Sequence, residues 1–315
     1  MRVIICSHEA DVDGIYSASV ALMKYPDADV SFYNYGVDNF TKMYEYLKYE
    51  SKKTRNGLVI ISDLGVNNEV IDLTKDSIEY LIKNRWSVIW VDHHPWPRKA
   101  LTSIRKMANL VHDSSGNKCA TELMYKKFMY KNKIAEQLGL TAHSSDFMTN
   151  IKNYDSRVSE LIHSYRNNSD AKEKLTNLVL KSSSGILWDA DMQRDYTKFI
   201  KISEIQKRAS LKTLAIKKIR SFNVAFVFTY PYVQTSLFAQ ELFSNFKIDL
   251  AILFSRNGKV SIRRNTEKIS CGKIASYLIE GGGHEYASGG KLKNDAGNFK
   301  ACMAELQQAV IKALE

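Results

Sequence analysis

The chain has 315 residues, 44% of them hydrophobic, and a formal net charge of +11. That length points to two domains, and no apolar run reaches the length of a membrane span. The N-terminus reads as a strand and not as a signal peptide, so the expectation is a cytoplasmic enzyme without a membrane segment. Four cysteines, Cys6, Cys119, Cys271 and Cys302, lie far apart without a C-x-x-C pair. They read as free buried thiols and exclude a zinc knuckle or a redox motif. A basic chain attracts polyanions, but the lysines run along the whole sequence and many must simply solvate helix faces.

Strand and helix signals alternate through the first half. Val3–Cys6 is a short buried-strand run, 15–24 has helical spacing, and Val30–Tyr35 can form a second strand. Residues 39–49 place Phe40, Met43, Tyr44 and Leu47 on one helix face. Leu58–Ile61 is a third strand, 71–82 a helix, and Val88–Val91 a fourth strand. Leu110–Val111 starts a fifth strand, before a helix over about 118–129. Such alternation implies a parallel sheet covered on both faces. Residues 134–185 read as polar helix, and 189–220 as a long charged connecting helix. A second alternating unit then begins. Val224–Tyr230 is a strand and 237–246 a helix, and strands over 250–254 and 259–263 are joined at Asn257-Gly258, a strong hairpin signal. A helix over 271–279 leads into a glycine-rich segment, and the last 18 or so residues form an amphipathic helix. The fold expected is α/β: a doubly wound, mainly parallel sheet domain over 1–187, a linking helix over 188–221, and a smaller α/β domain over 222–315, with the active site in a cleft between the domains.

Three of the predicted strands run directly into acidic segments: residues 7–14 (Ser-His-Glu-Ala-Asp-Val-Asp-Gly), Ser62-Asp63-Leu64-Gly65, and Asp92-His93-His94. Ligands bind at the carboxyl ends of strands in an open parallel sheet, so the three segments converge on one edge. Clustered carboxylates repel unless they are protonated or hold metal. Oxygen donors mixed with imidazole suit manganese, magnesium, iron or zinc. Each piece alone is weak. One Asp after a strand is usually a helix cap, and a His-His pair is more often surface than ligand. The joint pattern is much rarer by accident, because all three segments follow buried strands. Gly14 is expected to let the chain turn sharply into its helix.

These residues resemble the DHH phosphoesterase family, named for the triplet seen here as Asp92-His93-His94. Residues 7–14 look like the family's first motif, Asp63 its second and the triplet its third. Asp155, in Asn-Tyr-Asp-Ser-Arg, is the best match to the fourth. The C-terminal half resembles the DHH-associated domain, through the glycine loop Gly281-Gly282-Gly283-His284-Glu285-Tyr286-Ala287-Ser288-Gly289-Gly290 and the strand carrying Arg263. This pairing is similar to that of the RecJ-type exonucleases, the short-oligonucleotide ribonucleases and the phosphoadenosine phosphate phosphatases. One departure is plain. His8 stands three residues before Asp11, where the family has two or four, and the shift changes where the ring points.

The resemblance implies two divalent metal ions, manganese first and magnesium second. His8, Asp11 and Asp63 hold one, Asp13, Asp63, His93 and Asp155 the other, and Asp92 ligates or orients a neighbouring ligand. The ions activate water for in-line attack on phosphorus, and His94 touches a phosphate oxygen. Arg263, His284 and the Gly281–Gly283 backbone bind substrate. The activity implied is an exonuclease hydrolysing short RNA or single-stranded DNA to 5′-mononucleotides. The alternatives are an enzyme for phosphoadenosine phosphate or linear dinucleotides, or a nucleic-acid-binding subunit of a repair or replication assembly. A homodimer and a helicase or replication partner are compatible with all three.

Overall fold

Each apolar run of the first half becomes a strand: β1 (Arg2–His8), β2 (Asp29–Tyr33), β3 (Gly57–Ser62), β4 (Trp86–Asp92) and β5 (Asn109–His112). They pair in the order β2-β1-β3-β4-β5, all parallel. Helices α1 (Val12–Lys24), α2 (Val37–Lys53), α3 (Ile71–Lys83) and α4 (Arg98–Ile104) connect them, and α5 (Ala120–Phe128) follows the last. The structure, a computed structural model, describes residues 1–149, 153–294 and 297–315. It divides into two units, Met1–Arg194 and Asp195–Glu315. Among the described residues no helix is long and apolar enough to cross a membrane, and all four cysteines are buried and free.

Strand pleating sorts the apolar side chains. Ile4, Cys6, Val59, Ile61, Val88 and Trp90 join Phe40, Met43, Leu47, Ile78 and Leu81 of α2 and α3 in one core. Their neighbours Ile5 and Ile60 point to the opposite face, where α1 packs on β1 and α5. Trp90 is fully buried, a type of side chain whose truncation costs about 3–5 kcal/mol. Its indole N–H donates to the Leu64 carbonyl at 3.0 Å, which pins the loop after β3. From β1 the chain goes to β2 on one side and to β3 on the other. The crevice at this reversal, beyond the carboxyl ends of β1 and β3, is where sheets of this kind bind ligands. Among the described residues no strand interrupts the helical region, as expected; it holds α6 (Lys133–Asp146), α7 (Asn153–Arg166) and α8 (Ala171–Ser183).

Helix α9 (Ala190–Leu211) leads into a second sheet of β6 (Ala215–Ile219), β7 (Phe222–Thr229), β8 (Leu250–Ser255), β9 (Lys259–Arg264), β10 (Ile279–Gly283) and β11 (Ala287–Lys291). Its order is β10-β11-β9-β8-β7-β6. The β7–β8 pair is parallel and the others antiparallel. Helices α11 (Cys271–Ala275) and α12 (Phe299–Ala313) cover one face, α10 (Thr235–Asn245) the other. The Asn257-Gly258 turn joins β8 to β9, with Gly258 at φ +78.

Two expectations need correction. The helix expected to run to 220 stops at Leu211, and 215–219 is the edge strand β6. The glycine-rich segment, expected as a loop, forms the β10–β11 hairpin. Its glycines answer to packing. A Cβ on Gly281 would lie 1.7 Å from the Ala275 carbonyl oxygen, and one on Gly290 would lie 2.8 Å from the Leu278 Cβ. Gly282 alone of the first three has open space around its missing Cβ.

Candidate metal centre

The end of β1 supplies the first group. His8 Nδ1 lies 3.0 Å from Asp11 Oδ2 and 3.3 Å from Asp63 Oδ2. Asp11 is also the N-cap of α1, its Oδ1 accepting from the Gly14 N–H at 3.0 Å. The bland and the functional use of this Asp therefore coexist, one oxygen each. Gly14 does not make the sharp turn expected of it but sits inside α1. A Cβ there would fall 2.2 Å from the His8 carbonyl oxygen, so the glycine lets α1 close on the end of β1.

Asp63 follows β3 with φ +55, a left-handed conformation that Asp tolerates better than most residues. While its Oδ2 faces His8, its Oδ1 lies 3.5 Å from His93 Nε2. His93 Nε2 is in turn 3.5 Å from Asp13 Oδ2 and 3.7 Å from Asp146 Oδ2. Asp13 receives the start of α5: the Ala120 and Thr121 N–H groups donate to it at 2.7 Å each, and the Thr121 hydroxyl at 2.6 Å. A carboxylate at a helix N-terminus is well placed electrostatically. Asp146, in the last turn of α6, is placed against the helix dipole.

Asp146, and not the expected Asp155, is the carboxylate grouped with Asp13 and His93 among the described residues. Asp155 is buried on α7, and its charge acts on Tyr16 and Tyr154, whose hydroxyls are 2.8 Å apart. It belongs to none of the metal-capable groups among the described residues. The last turn of α6 reaches the sheet edge through Asp146. The signal available in the sequence was an acid ending a helical segment, where the dipole disfavours it.

Asp92 is fully buried and largely satisfied. Trp96 Nε1 donates to its Oδ2 at 2.6 Å, the His94 N–H donates to the same oxygen at 3.1 Å, and His94 Nδ1 lies 2.9 Å from its Oδ1. The sequence reading also missed Tyr35, which it placed inside the second strand. β2 ends at Tyr33, and the Tyr35 hydroxyl donates to the Asp63 carbonyl at 3.3 Å and lies 3.0 Å from His94 Nε2. Asp92 faces one ring nitrogen of His94 and the Tyr35 hydroxyl the other. Burial alone would lower the pKa of His94, but Asp92 outweighs that and raises it. Gly65 makes room for the ring: a Cβ there would lie 2.9 Å from His94 Cβ.

The residues fit divalent ions. His8, Asp11 and Asp63 form one group with donor atoms within 4.8 Å of one another, and Asp13, His93 and Asp146 form a second. Bonds of about 2.1 Å put neighbouring ligands about 3 Å apart, close to the His8 separations. Asp63 Oδ1 and Asp146 Oδ2 are buried without a hydrogen-bond partner among the described residues, a costly state that a cation relieves.

Without metal, protons do part of that work. Burial pulls His8 and His93 down, but the surrounding carboxylates lift them to about 10 and about 11. Burial and the Asp63 charge push Asp13 up to about 8. All three bind more protons folded than unfolded, so the stability they contribute is complete below their unfolded values and is lost as pH rises through the folded ones. Asp92 is lowered to about 2, where the His94 charge and hydrogen bond overcome burial, so its contribution is lost only in strong acid. The metal-free protein is therefore expected to lose thermal stability from pH about 4, where Asp13 alone contributes, to about 11, most steeply above about 6.5 where both histidines join it. Metal binding displaces the same protons, so manganese should raise Tm by more at the alkaline end. Parallel melts with chelator and with manganese check this; a metal-induced rise that shrinks with pH would contradict it.

In the second unit Arg263, on β9, donates through Nη2 to Ser236 Oγ at 2.7 Å and through Nη1 to the Ser288 carbonyl at 3.2 Å. Ser288 pairs with Gly283 across the β10–β11 hairpin, so Arg263 and the glycines are brought together. His284 stacks on Tyr286, ring centroids 5.0 Å apart.

Residues 2–149 match the model of the DHH family, N-terminal domain, and residues 221–315 that of the DHHA1 domain. No curated protein sequence matches the chain. Among solved structures, an exopolyphosphatase-related protein from Bacteroides fragilis is 15% identical, with 98% of this chain and 91% of that one covered and a TM-score of 0.57. An uncharacterized protein from Helicobacter pylori G27 is 19% identical over 98% of this chain and 99% of that one, with a TM-score of 0.40. CDC45 from Entamoeba histolytica is 11% identical over 98% and 95%, with a TM-score of 0.43. At these identities the first shows a shared fold and nothing about substrate.

Proposed function

We propose that this chain, which belongs to the DHH family and carries a DHHA1 domain, is an exonuclease that hydrolyses short RNA or single-stranded DNA to 5′-mononucleotides with two divalent ions, manganese before magnesium. DHH family members are divalent-metal-dependent phosphoesterases, and the carboxylate and imidazole groups here can hold metal. The observation that carries the two-ion reading is Asp63, with Oδ2 3.3 Å from His8 and Oδ1 3.5 Å from His93. One oxygen faces each group, as a bridging ligand requires.

His8, Asp11 and Asp63 would hold one ion, and Asp13, Asp63, His93 and Asp146 the other. The bound ions supply a water of lowered pKa and neutralise phosphate charge. Asp92 is a positioning residue: its fixed carboxylate orients His94 and favours the charged ring. His94 then offers a donor to a phosphate oxygen as charge develops on it. In the second unit the Arg263 fork suits a phosphate, and Gly282 leaves backbone open to close approach; His284 adds a donor. A DHHA1 domain and a net charge of +11 support a nucleotide polyanion as substrate.

Product analysis on end-labelled RNA and DNA, from dinucleotides to long strands, tests the reading with manganese and with magnesium. Stepwise release of 5′-mononucleotides from short strands is expected. Activity confined to dinucleotides or phosphoadenosine phosphate would move the assignment to a small-nucleotide enzyme. Tight binding without cleavage of any substrate would leave a binding subunit.

A further inference from the structure

The positive charge is not spread evenly. Residues 198–220 hold eight basic residues and one acidic one, a net +7 out of +11 for the whole chain. Seven of the eight, Lys198, Lys201, Arg208, Lys212, Lys217, Lys218 and Arg220, are exposed. Among the described residues only Lys207 of this set meets a carboxylate, that of Glu241. The run ends on β6, the edge strand of the second sheet. There Lys217, Lys218 and Arg220 line an open cavity of about 430 Å³ with Ile219, Gln307 and Ile311. No carboxylate lines it. Arg220, at φ +55 in the β6–β7 turn, donates to the Leu314 carbonyl past the end of α12, which fixes one cation at the cavity wall.

Lysines also protect an edge strand from pairing with another chain. That use needs one or two of them, and it explains neither the cations upstream on α9 nor an open cavity that α12 helps to line. Cations that face no carboxylate, beside an amide and two aliphatic side chains, match a phosphate with its sugar and base. An acidic peptide would use the charge but not the cavity.

We infer that the β6 edge and α12 form a second binding site, separate from the metal-ligand residues, that takes the sugar-phosphate backbone of a single-stranded nucleic acid. It rests on the reading of the protein as an enzyme for nucleotide phosphodiesters and deepens it. The site is assigned to strand beyond the cleaved phosphodiester, which a dinucleotide lacks.

The test uses the full chain with Lys217 and Lys218 changed together to Gln, and separately to Arg. Binding of a labelled decaribonucleotide is followed by anisotropy in chelator, across a salt series. Neutralising two phosphate contacts on a single strand flattens the log–log salt slope by about 1.4 and weakens binding about tenfold at low salt. The Arg pair keeps wild-type affinity. Dinucleotide hydrolysis with manganese is unchanged in both. The inference falls if decamer affinity and salt slope survive in the Gln pair, or if dinucleotide hydrolysis drops equally. It also falls if a polyglutamate peptide competes as well as the decamer, since the surface would then take an acidic protein. The two readings fail separately. A wild-type chain that binds the decamer through these lysines but cleaves nothing keeps the site and loses the hydrolase; normal cleavage with salt-independent binding does the reverse. Unchanged melting temperatures for these exposed positions rule out misfolding as the cause.

Discussion

Asp63→Asn is expected to lower kcat on a labelled dinucleotide at least about a thousand-fold with manganese, about 4 kcal/mol of transition-state stabilisation. One oxygen faces His8 and the other His93, so a carboxamide cannot present two anionic donors, and both groups lose a ligand at once. The same change removes one negative charge from a cluster that also holds Asp11, Asp13 and Asp146. The fold should therefore survive, with Tm in chelator equal to the parent's or higher. Added manganese should no longer raise Tm, because stabilisation by a ligand follows its affinity for the folded state. Substantial activity in a variant that still takes up two ions would sink the bridging role.

The second large effect separates two carboxylates. Asp146→Asn is expected to cut activity about a hundred- to a thousand-fold and to weaken the second ion, while Asp155→Asn stays within a few-fold of the parent. Asp146 lies 3.7 Å from His93, with a buried oxygen that has no hydrogen-bond partner among the described residues. Burial pushes its carboxyl up to about 6 despite the His93 charge, and a metal ion would remove that penalty. Asp155 acts instead on the hydroxyl pair of Tyr16 and Tyr154. Titration of manganese into each variant, read by calorimetry, gives the site count; the opposite ranking would return the ligand to α7.

The contrast between Asp63 and Asp146 shows what the sequence could and could not reveal. Asp63, Asp92 and the residues after β1 were legible because each follows an apolar run, and the ends of parallel strands meet by topology alone. Asp146 ends a helix, and where a helix points depends on packing that periodicity does not encode. Tyr35 was hidden by an extended pattern that continued two residues past the real strand end. β6 was hidden by Lys217-Lys218, which broke the apolar alternation and joined it to a charged helix. The glycines of β10 and β11 read as a loop because glycine is depleted in strands. Here α11 lies so close over the hairpin that only glycine fits at Gly281. The shifted His8 proved compatible with the cluster, since Nδ1 is the nitrogen that faces Asp11 and Asp63.

The left-handed backbone at Asp63 (φ +55) has a consequence for how this chain can change over generations. Most residues would strain that turn, but Asn accepts the conformation as readily as Asp does. Asp and Asn codons differ by a single base. The mutation least costly to the fold at this position is thus one that silences the chemistry. A lineage can lose hydrolysis in one step while keeping a stable domain and every surface that binds its ligand.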